Sequence, residues 1–214
     1  MRNEMTASGP HPEAPAKRAS KDEDLGGKSD LRKILTERRA RLQAERGWWA
    51  AEVAMALLPR IEGVGVVAGY WPMRSEIDPR PLMKRYARAG WRLALPVTPA
   101  KGEGPLTFKL WTQLQALQTH AFGMLEPGSD AEIVRPDVVI VPMLGFDETG
   151  HRLGYGAGHY DRTLAALRAE GAVTAIGLAF AGQEVDRLPT QDHDQPLDAI
   201  LTEREYRAFA TDAG

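Results

Sequence analysis

Between Val64 and Phe180 short apolar runs alternate with stretches whose apolar positions recur at helical spacing, and this alternation limits the possible folds more than any other feature of the chain. The runs Val64 to Tyr70, Trp91 to Val97, Asp137 to Met143 and Val173 to Phe180 read as buried strands, with Leu106 to Trp111 as an edge strand. Helices are predicted from about Pro79 to Ala89, where proline suits the first turn, and from about His159 to Ala169. Strands that are apolar along their length and separated by helices imply an α/β fold. Its expected form is a three-layer α/β/α sandwich around a mostly parallel sheet. In such open sheets ligands lie outside the carboxyl ends of the strands, so the loops after strands are where chemistry is sought.

The N-terminal part is organised differently. Residues 1–27 are rich in Pro, Ala, Ser, Gly and alternating charge with no apolar period, which predicts a disordered tail and leaves residues 28–214 as a single α/β domain. Ser29 as a cap and Leu31, Ile34, Leu35 and Leu42 at helical spacing predict a first helix to about Arg46. Gly47 is expected to interrupt it, and Trp48 to Leu58 reads as a second helix stopped near Pro59.

Composition excludes several functions. A formal net charge of -2 removes the bulk electrostatic case for a nucleic-acid partner while leaving room for a local site for a small anion. With no cysteine there is no disulfide, thiolate metal site or thiol nucleophile, in keeping with a cytoplasmic location. No apolar run approaches the roughly 20 residues that cross a bilayer, and no apolar core follows the early charges, so neither a membrane partner nor export is expected.

The segment from Leu144 to Arg162 carries the most chemistry: Leu-Gly-Phe-Asp-Glu-Thr-Gly-His-Arg-Leu-Gly-Tyr-Gly-Ala-Gly-His-Tyr-Asp-Arg. It follows a strand and opens a helix. Gly154, Gly156 and Gly158 alternate, so the backbone can turn several N–H groups toward one point, a cradle for phosphate at a helix N-terminus. The third glycine comes too early for a dinucleotide fingerprint, and no Gly-Lys-Ser/Thr follows as a P-loop requires. Glycines alone would fit a connecting turn equally well. Arg152 ahead of them offers a phosphate-pairing fork, and Asp161 behind them a hard oxygen for Mg²⁺.

The run Gly145 to Asp161 resembles the signature of the 5-formyltetrahydrofolate cyclo-ligase family. The resemblance extends in register from about Lys28 to Thr202, is weakest between Thr98 and Leu125, and implies a sheet architecture similar to the sugar-phosphate isomerase and CoA transferase-like fold. It implies ATP contacts at Lys28 and Arg32, one helical turn apart, and from Arg152 through Leu153, Gly154, Tyr155, Gly156, Ala157, Gly158 and His159 to Tyr160. Folate contacts fall at Trp71 and Glu76, in a loop after the first strand, and along Tyr155, Gly156, Ala157, Gly158 and His159. Mg²⁺ falls on Asp161 and Asp194, and Arg152 and Asp161 are the implied catalytic pair. Family members vary at the positions of Tyr155, Ala157 and His159.

From the residues alone, Lys28 and Arg32 also fit a solvated helix face crowded by Lys33, Arg38, Arg39 and Arg41, and Trp71 also fits core packing. Asp192, Asp194 and Asp198 are not ranked as ligands by spacing, and His193 reads as an orienting group. The implied reaction is ATP- and Mg²⁺-dependent closure of 5-formyltetrahydrofolate to 5,10-methenyltetrahydrofolate through phosphorylation of the formyl oxygen; a monomer is expected, although the sequence itself does not speak to oligomeric state. Two other functions stay open: a sugar-phosphate isomerase or acyl-CoA transferase, which would not need ATP, and a silent nucleotide- or folate-binding module, which would turn nothing over.

Overall fold

The computed structural model describes residues 21–99, 103–119 and 123–210. Helix α1 (Lys21–Leu57) is one helix of 37 residues, so the expected break at Gly47 does not occur and Ser29 lies inside the helix rather than at its cap. A glycine in a helix interior costs about 1 kcal/mol. Burial of Leu42, Ala50, Ala51, Ala54 and Leu58 in one continuous core outweighs it. Of the predicted tail, residues 1–20 lie outside the described residues, and α1 starts at Lys21, ahead of the expected boundary at Lys28. A Cβ on Gly47 would meet only the amide end of the Gln43 side chain, which can swing aside. Gly47→Ala is therefore expected to raise stability by about 0.5–1 kcal/mol, read as a higher urea midpoint at constant slope. A lower midpoint would mean that Gln43 is held in place.

After α1 come β1 (Val66–Ala68), α2 (Arg80–Arg88), β2 (Arg92–Val97) and β3 (Thr107–Leu110). Two short strands follow, β4 (Gln118–Thr119) and β5 (Leu125–Glu126), then β6 (Val138–Val141) and a second small pair, β7 (Gly145–Phe146) and β8 (Arg152–Leu153). The chain ends with α3 (His159–Glu170), β9 (Thr174–Leu178), β10 (Ala199–Leu201) and β11 (Tyr206–Ala208). The main sheet has seven strands in the order β11-β10-β9-β6-β1-β2-β3. Its five inner strands are mutually parallel, and the antiparallel β3 and β11 close its edges. The expected edge strand is thus β3.

Side chains alternate across the strands, and so the sheet has two cores. On one face Val67, Leu93, Leu95, Ile140 and Ile176 pack with Leu42, Ala50 and Ala54 of α1 and Leu82, Met83 and Tyr86 of α2. On the other, Val66, Ala68, Val139, Val141 and Ala175 pack with Leu164 and Leu167 of α3. These are the three layers expected. Among the described residues no helix is long and apolar enough to cross a membrane.

From β1 the chain proceeds to β2 and β3 on one side, whereas from β6 it proceeds to β9 and β10 on the other. The neighbours β1 and β6 therefore send their following loops apart. This leaves a crevice at their carboxyl ends, the topological switch point where open α/β sheets hold ligands.

Candidate active site

The loop after β1 forms one wall of the crevice. Glu76 is buried there, and its Oε2 accepts the Met73 backbone N–H at 2.9 Å, closing a tight turn in which Arg74 takes a left-handed φ of 53°. Non-glycine residues adopt that conformation only when the surroundings hold them in it. Burial pushes the Glu76 carboxyl above its ordinary value, with the Met73 N–H and the charges of Arg39 and Arg74 pulling the other way. Trp71 lies half-buried in the same loop, edge-on to Trp111 at 6.1 Å between ring centroids. The Arg80 guanidinium carbon sits 4.9 Å from the Trp71 ring centroid, and Arg80 is itself held by Asp78. Trp71 thus packs against the core and also lines the loop.

The second wall follows β6. The expected long loop contains a hairpin, because Asp147 organises its tip: Oδ1 accepts the N–H groups of Thr149 and His151, and Oδ2 accepts that of Leu188. Gly150 completes the turn at a φ of 87°. The hairpin returns the chain so that Arg152 and the glycines after it reach the sheet's carboxyl edge. Gly156 and Gly158 take φ of 103° and 66°, and Gly158 caps α3 without any side-chain acceptor. The N–H groups of the first turn of α3 are therefore left for an anion, as a phosphate cradle requires. His159 is held by the turn opposite the glycine loop, its Nδ1 3.0 Å from the Gly104 carbonyl oxygen. A cavity of about 550 Å³ is lined by Gly156, Ala157, Arg162 and the Glu103–Gly104 turn.

Helix α1 and the segment after Leu188 complete the site. Lys28, 4% exposed, donates from Nζ to Asp194 Oδ2 at 3.2 Å, and Arg32 Nε donates to the Gly154 carbonyl at 3.1 Å. Lys28 therefore turns toward the segment after Leu188 and Arg32 toward the glycine loop, rather than to solvent. Arg152 Nη2 donates to Asp161 Oδ1 at 2.6 Å, and Nη1 to the Gln195 carbonyl. The Arg152 fork is thus engaged with protein, and it fixes Asp161. Burial lowers the Arg152 pKa, an effect that Asp161 and Asp194 partly offset. Tyr160 is half-buried near Glu76 and Arg152, and desolvation raises its phenol well above the ordinary value, keeping it a donor.

The three C-terminal carboxylates are now distinguishable. Asp198 is taken by the Ala175 N–H at 2.6 Å and by Arg168, a structural role between β9 and β10. Asp192 is exposed, and His193 is mostly exposed with Nε2 3.8 Å from Asp194 Oδ1. Asp161 and Asp194 share one pattern. Asp161 Oδ1 accepts Arg152 and the Gln195 N–H, and Asp194 Oδ2 accepts Lys28 and the Gln191 N–H. Among the described residues no hydrogen bond reaches the other oxygen of either. Two fixed carboxylates with a free oxygen each suit Mg²⁺, which takes one or two carboxylates and completes its shell with water and phosphate. Among the described residues no cluster of three or more acidic or imidazole groups could hold a metal by itself.

One site residue was missed from sequence. Arg39, 1% exposed, donates from Nε to Ser75 Oγ and from Nη1 to the Met143 carbonyl, each at 3.1 Å. Its Nη1 lies 3.7 Å from Glu76 Oε1, and its Nη2 bonds the Tyr155 hydroxyl. Spacing narrows the choice without making it: Arg38 and Arg39 both lie three or four residues from the buried Leu35 and Leu42, Arg41 falls off that stripe, and it is burial that separates Arg39 from the half-buried Arg38.

Residues 24–203 match the sequence profile of the 5-formyltetrahydrofolate cyclo-ligase family. The chain belongs to that family. It is 35% identical to the 5-formyltetrahydrofolate cyclo-ligase of Escherichia coli (strain K12) over 164 residues, 75% of this chain and 89% of the relative. It is 32% identical to that of Mycolicibacterium smegmatis over 183 residues, 82% of this chain and 93% of the relative. Among solved structures, the 5,10-methenyltetrahydrofolate synthetase of Aquifex aeolicus superposes with a TM-score of 0.70 at 30% identity, covering 87% of this chain and 95% of that one. The family span takes in every candidate site residue named above, from Lys28 to Asp194.

Proposed function

We propose that this protein closes 5-formyltetrahydrofolate to 5,10-methenyltetrahydrofolate with hydrolysis of ATP to ADP and phosphate. The observation that carries the reading is the pairing of Lys28 with Asp194 and of Arg152 with Asp161 around the uncapped start of α3, on the same crevice as the buried Glu76. One side is built for a polyphosphate and its cation, the other for a flat, donor-rich ring such as a pterin, whose amino hydrogens a carboxylate accepts.

A formamide oxygen is a poor leaving group, so cyclisation needs it converted into phosphate. The formyl oxygen attacks the γ-phosphorus as the bond to ADP breaks. The second folate nitrogen then attacks the formyl carbon and loses its proton, and the oxygen leaves as phosphate. Such transfer depends on positioning and charge neutralisation rather than on a protein nucleophile. Here Lys28, Arg32 and the N–H groups of the glycine loop offset phosphate charge, Arg152 holds Asp161 in place, and Glu76 orients the pterin against Trp71. Asp161 and Asp194 would hold Mg²⁺, which supplies further neutralisation of phosphate charge.

The test is the appearance of the methenyl product by absorbance from (6S)-5-formyltetrahydrofolate. Turnover that requires both ATP and Mg²⁺ is expected, and folded protein giving no product would sink the reading. A second test addresses the loop. Alanine at Gly156 would be strained at a φ of 103° and would bring Cβ to 3.3 Å from the Arg32 guanidinium. Gly156→Ala is expected to raise the KM for ATP roughly tenfold or more, since such strain is worth about 1–3 kcal/mol. An unchanged KM would remove the loop from the nucleotide site.

A further inference from the structure

We propose that Arg39 is a positioning residue for this reaction: its guanidinium ties Glu76 to Tyr155 across the switch-point crevice, so that the folate-facing carboxylate and the glycine loop keep one relative placement. The role rests on the folate assignment of Glu76 made above. Three observations carry it.

Each nitrogen of the guanidinium serves a different segment. Nε reaches Ser75 in the loop after β1, Nη1 reaches the Met143 carbonyl just past β6 and lies near Glu76, and Nη2 reaches the Tyr155 hydroxyl in the glycine loop. A planar fork with donors at fixed angles sets the distances among three segments at once, which an ammonium on a flexible stem cannot do.

Packing does not ask for an arginine there. The neighbouring positions of the same stripe, Leu35 and Leu42, are leucines in the core. Replacing a buried charge by a well-packed apolar side chain is commonly neutral or stabilising. The arginine therefore serves the arrangement of the loops.

The third observation is the set of charges facing Glu76. From α1 comes Arg39, from its own loop Arg74 and the Met73 N–H, from the end of β1 Tyr70, and from α3 Tyr160. Tyr70 is buried and Tyr160 half-buried, and desolvation keeps both neutral. Arg39 and Arg74 are thus the cations that favour the ionised carboxylate, and Arg74 is exposed.

The test is a double-mutant cycle. Wild type, Arg39→Met, Glu76→Gln and the double variant are compared for binding of (6S)-5-formyltetrahydrofolate by equilibrium dialysis and for kcat and KM with ATP. Arg39→Met is expected to weaken folate binding roughly tenfold when Glu76 is present and less than about threefold when residue 76 is glutamine, because coupled neighbours are not additive. The acid limb of kcat/KM should move to higher pH in Arg39→Met, since loss of the cation makes Glu76 harder to ionise. In Arg39→Lys, which keeps the charge without the fork, the limb should stay in place while kcat falls.

Equal losses in the two Glu76 backgrounds, or an acid limb unmoved in Arg39→Met, would overturn the proposal. If Arg39→Met does not fold by circular dichroism, Arg39→Lys carries the test, and wild-type kcat in that variant overturns it. Wild type that binds the folate without turnover would sink the ligase reading and leave the dialysis comparison standing. Wild type that does not bind the folate would sink the assignment of Glu76 and this role with it.

Discussion

Replacing Asp161 by asparagine is expected to lower kcat by roughly 10²- to 10³-fold, the usual effect of removing one fixed charge from a site that stabilises developing phosphate charge. Asparagine keeps an acceptor for Arg152 Nη2 and for the Gln195 N–H, so the local hydrogen bonds survive while the negative charge is lost. Alanine is the poorer probe. It would leave the Arg152 side chain, 5% exposed, without its carboxylate, and breaking a buried pair in this way costs about 3–5 kcal/mol. Activity at saturating ATP, titrated with Mg²⁺, together with the urea midpoint, separates the two effects. The expected result is a large fall in kcat, a higher Mg²⁺ requirement and a midpoint near wild type. Activity within about threefold of wild type would place the chemistry elsewhere, since one fixed charge accounts for far more than that.

The second large effect is expected at Glu76. Loss of a hydrogen bond to a charged group amounts to about 1.5–3 kcal/mol, so Glu76→Gln should raise the KM for the folate roughly 10- to 100-fold, with a smaller change in the KM for ATP. Stability should respond in the opposite pH sense to that of a surface carboxylate. Burial raises the Glu76 carboxyl above its ordinary value of 4.5, so between that value and the raised one the folded chain binds more protons than the unfolded chain. Stability then falls as pH rises through the folded value. Relative to Glu76→Gln, wild type should gain in thermal midpoint as pH is lowered through that window, and below it the difference should level off. A difference that grows with rising pH would show that the carboxylate is stabilised, not penalised, by its burial.

Much of the fold and of the candidate site is legible in the sequence. The inner strands announced themselves as unbroken apolar runs, because a strand covered on both faces has no polar side to show. Lys28, Glu76, Arg152, Asp161 and Asp194 were named from the family resemblance, and the fold brings them to one edge of the sheet. Other features escaped. Strands β10 and β11 span three residues each and lie beside a carboxylate-rich segment read for its chemistry, so no periodicity could mark them. The continuity of α1 through Gly47 is decided by the core it packs against, which local propensity does not register. Arg39 was hidden by company: among so many basic residues on one helix its charge meant nothing, and its place beside the apolar stripe is shared with Arg38, so only the packed structure tells them apart.

The uninterrupted α1 has one more consequence. Lys28 and Arg32 sit toward one end of it, whereas Ala50, Ala54 and Leu58, at and just beyond its other end, are seated in the core beneath the sheet. At 1.5 Å per residue Lys28 is roughly 39 Å from Ala54, and a tilt of about 1.5° there would carry the lysine sideways by about 1 Å. Misplacement on that scale can change a rate by about two orders of magnitude. Such a tilt must carry Leu35 with it, which is seated against Leu144, Leu153 and Leu188, so the alanines at one end of the helix and this leucine near the other together set where Lys28 lies.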